Sequence, residues 1–227
     1  MLKLNYFNGK GMCETSRLIL VAVGEKFEDY RYPIKINDWV TYDIERKEFD
    51  EDKASGKLVK SMGKVPFLNV GDGVISQSKA IERYLAHRFK IMGETFEEGA
   101  LIDSYCEYIR DFKTAYQAVK RKENREEAMK EWFGLTLPQK LVEFDKLIYE
   151  NIDFQNMITP LPRQFAVGNK LSLADIVIYS FLTDFFDDKE SVRSACSNCN
   201  VLKAIVKDVG EIPQIKKWVE NREDTAF

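Results

Sequence analysis

GKVPFLNVGDGVISQSKAIERYL, residues 63–85, decides how the first part of this chain folds. Val65 precedes Pro66, and a proline ring pushes the residue before it toward extended backbone. Phe67, Leu68 and Val70 continue as a strand. Gly71-Asp72-Gly73 lies between two apolar runs and predicts a tight turn into a second short strand. A helix then opens at Gln77-Ser78, with Ala80, Ile81, Tyr84 and Leu85 as its expected buried stripe. The first turn of a helix carries unpaired N–H groups and the positive end of the helix dipole, which suits a carboxylate. An extended segment entered at a proline leaves backbone groups open to a peptide laid beside it. Together these features describe a bed for a small acidic peptide. A hairpin followed by a capped helix, with no ligand, is the alternative.

Upstream, strand and helix patterns alternate. Leu2, Leu4 and Tyr6 alternate as a first strand, and residues 16–23 read as a helix with Leu18, Val21 and Ala22 on one side. Residues 27–34 read as a second strand. The polar stretch 37–62, with ERKEFDEDK at 45–53, reads as a solvated helix or loop face. Residues 89–96 contain Gly93 and little periodicity, and mark a domain boundary. Everything beyond reads helical. Ile102, Tyr105, Ile109, Phe112, Tyr116 and Val119 form a core stripe over residues 100–122. A second pattern over 126–150 is interrupted near Pro138. Pro160 and Pro162 make 158–163 a loop or extended piece. Helices follow near 173–186, 201–209 and 213–221. The expected class is an α/β domain, residues 1–89, followed by an all-α domain, residues 90–227. Ser172-Leu173-Ala174-Asp175 reads as a helix-start device in which Ser172 and Asp175 cap reciprocally, a structural role.

Bulk composition narrows the functions. With 227 residues, 44% hydrophobic and 31% charged, the chain can bury proper cores. A net charge of −3 gives no electrostatic reason to expect nucleic acid. No apolar run approaches the roughly 20 residues that span a bilayer, and no signal peptide or lipidation pattern is legible, so a soluble cytoplasmic protein is expected. Four cysteines are too few for a disulfide framework. Cys196 and Cys199 are spaced C-x-x-C, but no strand precedes them and His87 is the only histidine; a loop between helices is expected there, with no metal.

One residue is placed for chemistry. Tyr6 ends the first strand, and strand ends in open α/β folds are where ligands sit. Its phenol can donate one hydrogen bond to a sulfur anion. Lowering a thiol pKa from about 8.5 by about 2 units takes about 2.7 kcal/mol, and one hydrogen bond to a charged group supplies about 1.5–3 kcal/mol. An ordinary core tyrosine at a strand end is the alternative.

YFNGKGMCETSR, residues 6–17, resembles the catalytic-tyrosine segment of the glutathione S-transferase family, closest in pattern to its sigma class. Gly11, Glu14 and Arg17 fall where that segment has glycine, glutamate and arginine. The order strand, turn, strand, helix, with Val65-Pro66 and Gln77-Ser78, is similar to the family's glutathione site. The resemblance implies a thioredoxin-like first domain, a cis Val65–Pro66 bond and an all-helical second domain that completes an electrophile site. It implies Tyr6 as the thiolate-stabilising residue and Trp39, of Asp38-Trp39, near the glycine end of glutathione. Gly63, Lys64 and Val65 become the backbone-binding segment, with Pro66 structural. Gln77 and Ser78 become the γ-glutamyl site, and Asp111 reaches the glutathione of a second subunit in a homodimer. GNKLSLADIVIY, with Ser172 and Asp175, matches the family's buried helix start.

Two departures stand out. Met12 occupies a position where the sigma pattern has arginine, which shifts attention to Lys10. The long 37–62 stretch disrupts the count to the lysine that serves the glycine carboxylate, leaving Lys47 and Lys57 both open. The cysteine of omega-type relatives aligns with Lys10, so Cys13 is a side feature. The implied function is a glutathione transferase that activates its co-substrate as thiolate for attack on hydrophobic electrophiles. A glutathione-dependent isomerase of the prostaglandin D synthase kind, and a non-catalytic ligand-binding or crystallin-like relative, are the alternatives.

Overall fold

The computed structural model describes residues 1–38, 43–151, 165–223 and 225. The alternation in the first residues becomes β1 (Leu2–Phe7), followed by a 3-10 turn at Gly11–Cys13 and α1 (Glu14–Ala22). Then come β2 (Phe27–Tyr32), β3 (Lys35–Asp38), β4 (Asp43–Glu45), α2 (Lys47–Ala54), β5 (Phe67–Val70), β6 (Gly73–Ser76) and α3 (Ser78–Arg88). Four strands form one mixed sheet in the order β2-β1-β5-β6, with β1 parallel to β2 and antiparallel to β5. The central strand β1 is covered on both faces, so Leu4, Asn5 and Tyr6 are buried in succession. The amide of Asn5, buried and polar, donates to the Phe67 carbonyl at 3.3 Å and to Asn69 Oδ1 at 2.8 Å.

Three local expectations change. The segment after β2 is not only a solvated face: β3 and β4 pair antiparallel, and α2 buries Phe49 against Tyr32, Leu58 and Phe67. On α1 the buried side is Leu18, Ile19 and Leu20 together with Glu14 and Arg17, while Val21 and Ala22 are half-buried. Sequence reading discounts a buried arginine, and this one is buried because it is paired. On α3 the stripe is Ser78, Ile81, Glu82 and Leu85, one step out of the expected phase. Ala80 is exposed, and Glu82 is buried against Lys79 at 2.8 Å.

The helical part contains α4 (Phe96–Lys120), α5 (Arg125–Glu131), α6 (Leu137–Glu150), α7 (Leu173–Thr183), α8 (Lys189–Ala195), α9 (Asn200–Gly210) and α10 (Pro213–Asn221). Thr95 caps α4 by accepting the Glu98 N–H at 3.1 Å. The expected stripe from Ile102 to Tyr116 is buried. Between α5 and α6 the helix does not stop: it widens into a π-turn over Trp132–Thr136. Pro138 explains this, since it has no N–H to return to the Gly134 carbonyl and its ring crowds that carbonyl. α7 is buried on every side from Leu173 to Phe181 and is the centre of this unit. α8 escaped the sequence reading because seven residues carry too little periodicity. Cys196 and Cys199, both buried and free, lie between α8 and α9. The expected loop at 158–163 lies outside the described residues.

By its contacts the chain divides into Met1–Leu85 with Lys217–Phe227, and Ala86–Lys216. The division falls a few residues before the expected boundary because Ala86 and Ile91 belong to the helices: the Ile91 carbonyl accepts the Leu173 N–H at 2.8 Å. The last residues return to the sheet unit.

At the start of α7 Asp175 is fully buried. Its Oδ2 accepts the Ser172 N–H at 2.8 Å and the Ser172 hydroxyl at 2.6 Å, and its Oδ1 accepts the Ala166 N–H at 2.6 Å. Burial pushes its carboxyl up to about 6 despite those donors. Asp175→Ala removes the cap and leaves buried donors unpaired, a loss of about 1–3 kcal/mol. Denaturant unfolding should show that loss, while activity per folded molecule should stay near wild type. Unchanged stability with abolished turnover would contradict the structural role.

Candidate functional site

The sheet gathers the implied site residues at one end. Asn5 pairs with Phe67, and Phe67 pairs with Ser76, so these three form a row across β1, β5 and β6. One step further along each strand come Tyr6, Pro66 and Gln77. Three segments far apart in sequence thus meet at the end of one sheet.

Tyr6 is buried, with 8% of its surface exposed. Its hydroxyl oxygen accepts the Met12 N–H at 3.2 Å. Gly11 makes that approach possible: its φ is +38°, and a Cβ built there would lie 2.6 Å from the Tyr6 oxygen. Burial raises the phenol above its ordinary pKa, opposed by the Met12 bond and the Arg17 charge. At neutral pH Tyr6 therefore keeps its proton and can donate it in a hydrogen bond. The Met12 side chain is exposed, so at this position the backbone, not the side chain, serves Tyr6.

Behind Tyr6 lies a buried ionic network. Arg17 NH1 donates to the Gly9 carbonyl at 2.6 Å and to Glu14 at 3.2 Å, and its Nε reaches both oxygens of Asp29 at 3.1 Å. Its guanidinium carbon lies 6.0 Å from the centre of the Tyr6 ring. Its NH2 has no hydrogen-bond partner among the described residues. Cys13 sits beside this network, fully buried, and burial pushes its thiol well up, so it is an inert packing residue.

The second wall is the segment before β5. The Val65–Pro66 bond is cis. Among the described residues the Val65 N–H and carbonyl make no backbone hydrogen bond, leaving a donor and an acceptor open side by side. Gly63 has φ +65°, and the stem of Lys53 passes over it, 3.3 Å from where a Cβ would be. Lys53 is exposed on α2 and has no ion-pair partner among the described residues. Lys47 and Lys57, the two lysines expected from sequence, are paired with Glu51 at 3.9 Å and Asp52 at 2.5 Å. Sequence reading missed Lys53 because only the fold of α2 back over Gly63 brings it to this segment. Lys64 is exposed.

The third wall is the start of α3. Gln77 is exposed with φ +73°, and its carbonyl accepts the Ile81 N–H at 3.0 Å, which starts the helix. Ser78 is buried in the first turn. The hydroxyl of Ser76, one residue before Gln77, is buried without a partner among the described residues. Trp39 lies outside the described residues. Asp111 is exposed on α4, in the helical unit. Among the described residues no three His, Cys, Asp or Glu side chains gather as a metal site, and no helix is long and apolar enough to cross a membrane.

A buried phenol with its proton, an extended strip with an open backbone donor and acceptor, and a helix start thus meet at one end of the sheet. The chain is similar to known proteins along nearly its whole length. Residues 110–222 match the model of the glutathione S-transferase C-terminal domain. The chain is 30% identical over 221 residues to a glutathione S-transferase of Dirofilaria immitis, covering 97% of this chain and 92% of the relative. It superimposes on the crystal structure of the glutathione S-transferase from Ascaris lumbricoides with a TM-score of 0.76 at 27% identity, over 100% of both chains. It also matches a monomeric glutathione S-transferase of the hookworm Necator americanus, with a TM-score of 0.75 at 25% identity, over 100% of this chain and 99% of the other.

Gly11→Ala should be costly for a reason local to Tyr6. A side chain at positive φ costs about 1–3 kcal/mol, and the new methyl must displace the Tyr6 hydroxyl. Urea unfolding should show the destabilisation, and hydrogen exchange of the Met12 amide should accelerate. A variant with wild-type stability and a protected Met12 amide would refute the close approach.

Proposed function

Given that this chain belongs to the glutathione S-transferase family, we propose that Tyr6 is the residue with which it activates the thiol of glutathione. The chain is a glutathione transferase: relatives named as such match it at about 27–30% identity along nearly its whole length. Its fold is the thioredoxin-like sheet unit and helical unit of the family's solved structures. The observation that carries the role of Tyr6 is its hydrogen bonding. The phenol oxygen already accepts from Met12, and burial keeps its proton in place, so the hydroxyl is left with one donor to give. Accepting one bond strengthens the bond it donates.

The chemistry follows from charge. When the thiol releases its proton to water, the thiolate takes a hydrogen bond from Tyr6, which keeps its own proton throughout. That bond, worth about 1.5–3 kcal/mol, favours the anion and lowers the thiol pKa toward neutrality. The thiolate then attacks the electrophilic carbon of a hydrophobic substrate held beside it, and the leaving group departs with the electron pair of the broken bond. Proximity supplies the rest of the acceleration.

The peptide is held along the same sheet end. Val65 pairs with the backbone of glutathione through its open N–H and carbonyl, a strand-like addition. Gln77 and Ser78 receive the γ-glutamyl carboxylate at the first turn of α3, and Gly63 and Lys64 flank the strip. Lys53, held over Gly63, is the lysine we assign to the glycine carboxylate in place of Lys47 or Lys57. Trp39 remains in the proposed set on the resemblance alone. The tyrosine-type, sigma-like class is supported by Tyr6, Gly11, Glu14 and Arg17 together. A cytoplasmic homodimer, with Asp111 serving the second subunit's peptide, completes the reading.

Tyr6→Phe keeps the ring and removes one hydroxyl, so melting should change little. Turnover at neutral pH should fall about ten- to a hundredfold, matching about 1.4–2.7 kcal/mol, and recover as pH rises. Ultraviolet titration of bound glutathione should show the thiol pKa moving up toward the free value; coincident titrations of variant and wild type would remove Tyr6 from the role. Light scattering tests the dimer separately. A particle of about twice the 26.4 kDa chain mass is expected, and a monomer with full glutathione affinity would refute the shared site.

A further inference from the structure

Trp218 and Arg222 lie against the helix that carries the buried network behind Tyr6. Trp218 Nε1–H donates to Glu14 Oε1 at 2.8 Å, and Arg222 NH1 donates to the same oxygen at 2.7 Å. The Trp218 ring packs beside Phe27, with centroids 6.4 Å apart, and Asn8 donates to Glu223 at 3.3 Å. Glu14 is 2% exposed. Burial alone would raise its carboxyl. The Trp218 bond and the charges of Arg17 and Arg222 outweigh burial and hold it below the usual carboxylate range. The anion at this point is therefore sustained in part by two residues more than 200 positions away.

Glu14 passes that constraint on. Its second oxygen takes Arg17 NH1, and the same NH1 holds the Gly9 carbonyl at 2.6 Å. Gly9 belongs to the turn between β1 and α1, which also contains Gly11 and Met12. The Met12 amide sets the direction of the Tyr6 hydroxyl. Every link lies inside the sheet unit, and Glu14, Arg17, Gly9 and Tyr6 are buried. A charged bond between buried partners is strong when both are present, and removing one partner leaves the other charge uncompensated.

We propose that Trp218 and Arg222 are positioning residues for the transfer reaction. By fixing the Glu14 carboxylate they hold Arg17, the Gly9 carbonyl and the turn over residues 8–12, and so aim the Tyr6 hydroxyl at the sulfur. The proposal rests on the assignment of Tyr6 as the activating residue. It extends the machinery around Tyr6 to Trp218 and Arg222, which lie outside the peptide strip described above.

The test uses the full-length enzyme with Trp218→Phe, Arg222→Met, the pair together, and Arg222→Lys. Three quantities are read: thermal melting, kcat and KM for glutathione with a generic aromatic halide, and the ultraviolet titration of the bound thiol. In the paired variant kcat at neutral pH should fall about three- to tenfold, and the bound thiol should titrate about half to one pH unit higher. KM for glutathione should stay within about twofold, since the peptide contacts are untouched. Arg222→Lys keeps the cation and should recover most of the loss. A merely structural role lowers melting and leaves the thiol titration of folded enzyme where it was; that result overturns the proposal. If the paired variant does not fold, Trp218→Phe, which keeps an aromatic ring beside Phe27 and removes the N–H donor, decides by the same titration. Tyr6→Phe in the same assay separates the two claims. If Tyr6→Phe leaves the titration unmoved, the Tyr6 assignment fails. If it moves the titration and the C-terminal variants do not, only the positioning role fails.

Discussion

A guanidinium with no access to water governs the sheet unit. Arg17 is fully buried, which works against its charge, and the carboxylates of Asp29 and Glu14 outweigh burial and hold its pKa above the ordinary value. A buried cation is tolerable when opposite charges and acceptors meet it, and Arg17 finds them on three segments. It ties α1 to β2 through Asp29, to the first turn of its own helix through Glu14, and to the β1–α1 turn through Gly9. The geometry around Tyr6 is downstream of that placement. Gly11 can crowd the phenol, and Met12 can donate to it, only because the turn that carries them is held from behind.

The sheet end does the remaining assembly. Strand register is a two-residue period, so a slip of one residue on β5 or β6 turns Tyr6, Pro66 and Gln77 to different levels and faces. Asn5 guards against the slip. Its side chain bonds the Phe67 carbonyl and Asn69 across β5, which is satisfied in one register only. A polar residue in the central strand thus specifies alignment where an apolar one would merely fill space.

How much of this was legible beforehand varies by physical cause. Residues 63–85 could be read because proline, glycine and the helix start each act on their own neighbours. The four strands of the main sheet and the helix stripe from Ile102 to Tyr116 followed from periodicity. The Ser172–Asp175 cap was readable because both partners lie within four residues. What escaped depends on contacts distant in sequence. Lys53 was hidden because nothing local says α2 folds over Gly63. Glu14 and Arg17 were visible as a pattern, but their burial depends on Asp29, Trp218 and Arg222. Ala80 was misplaced by one position because Glu82 looks like a surface residue until Lys79 is seen to cover its charge. The role of the Met12 amide was unreadable in principle, since a backbone donor has no residue type.

The π-turn at Trp132–Thr136 also keeps two stretches of helix in phase. A π-turn holds one residue more than the α-turn it replaces, and each residue on a helix turns the next by about 100°. Ala128 and Trp132 face inward at its start, and Leu137, Leu141, Phe144 and Ile148 face inward after it. Trp132 and Leu137 are five residues apart, which on a plain α-helix would set them about 140° apart around the axis. The wider turn absorbs the extra residue, so both sets reach one interior. Straightening these same residues into a plain helix would rotate one apolar stripe out of line with the other. The proline that forces the turn therefore keeps the two faces aligned.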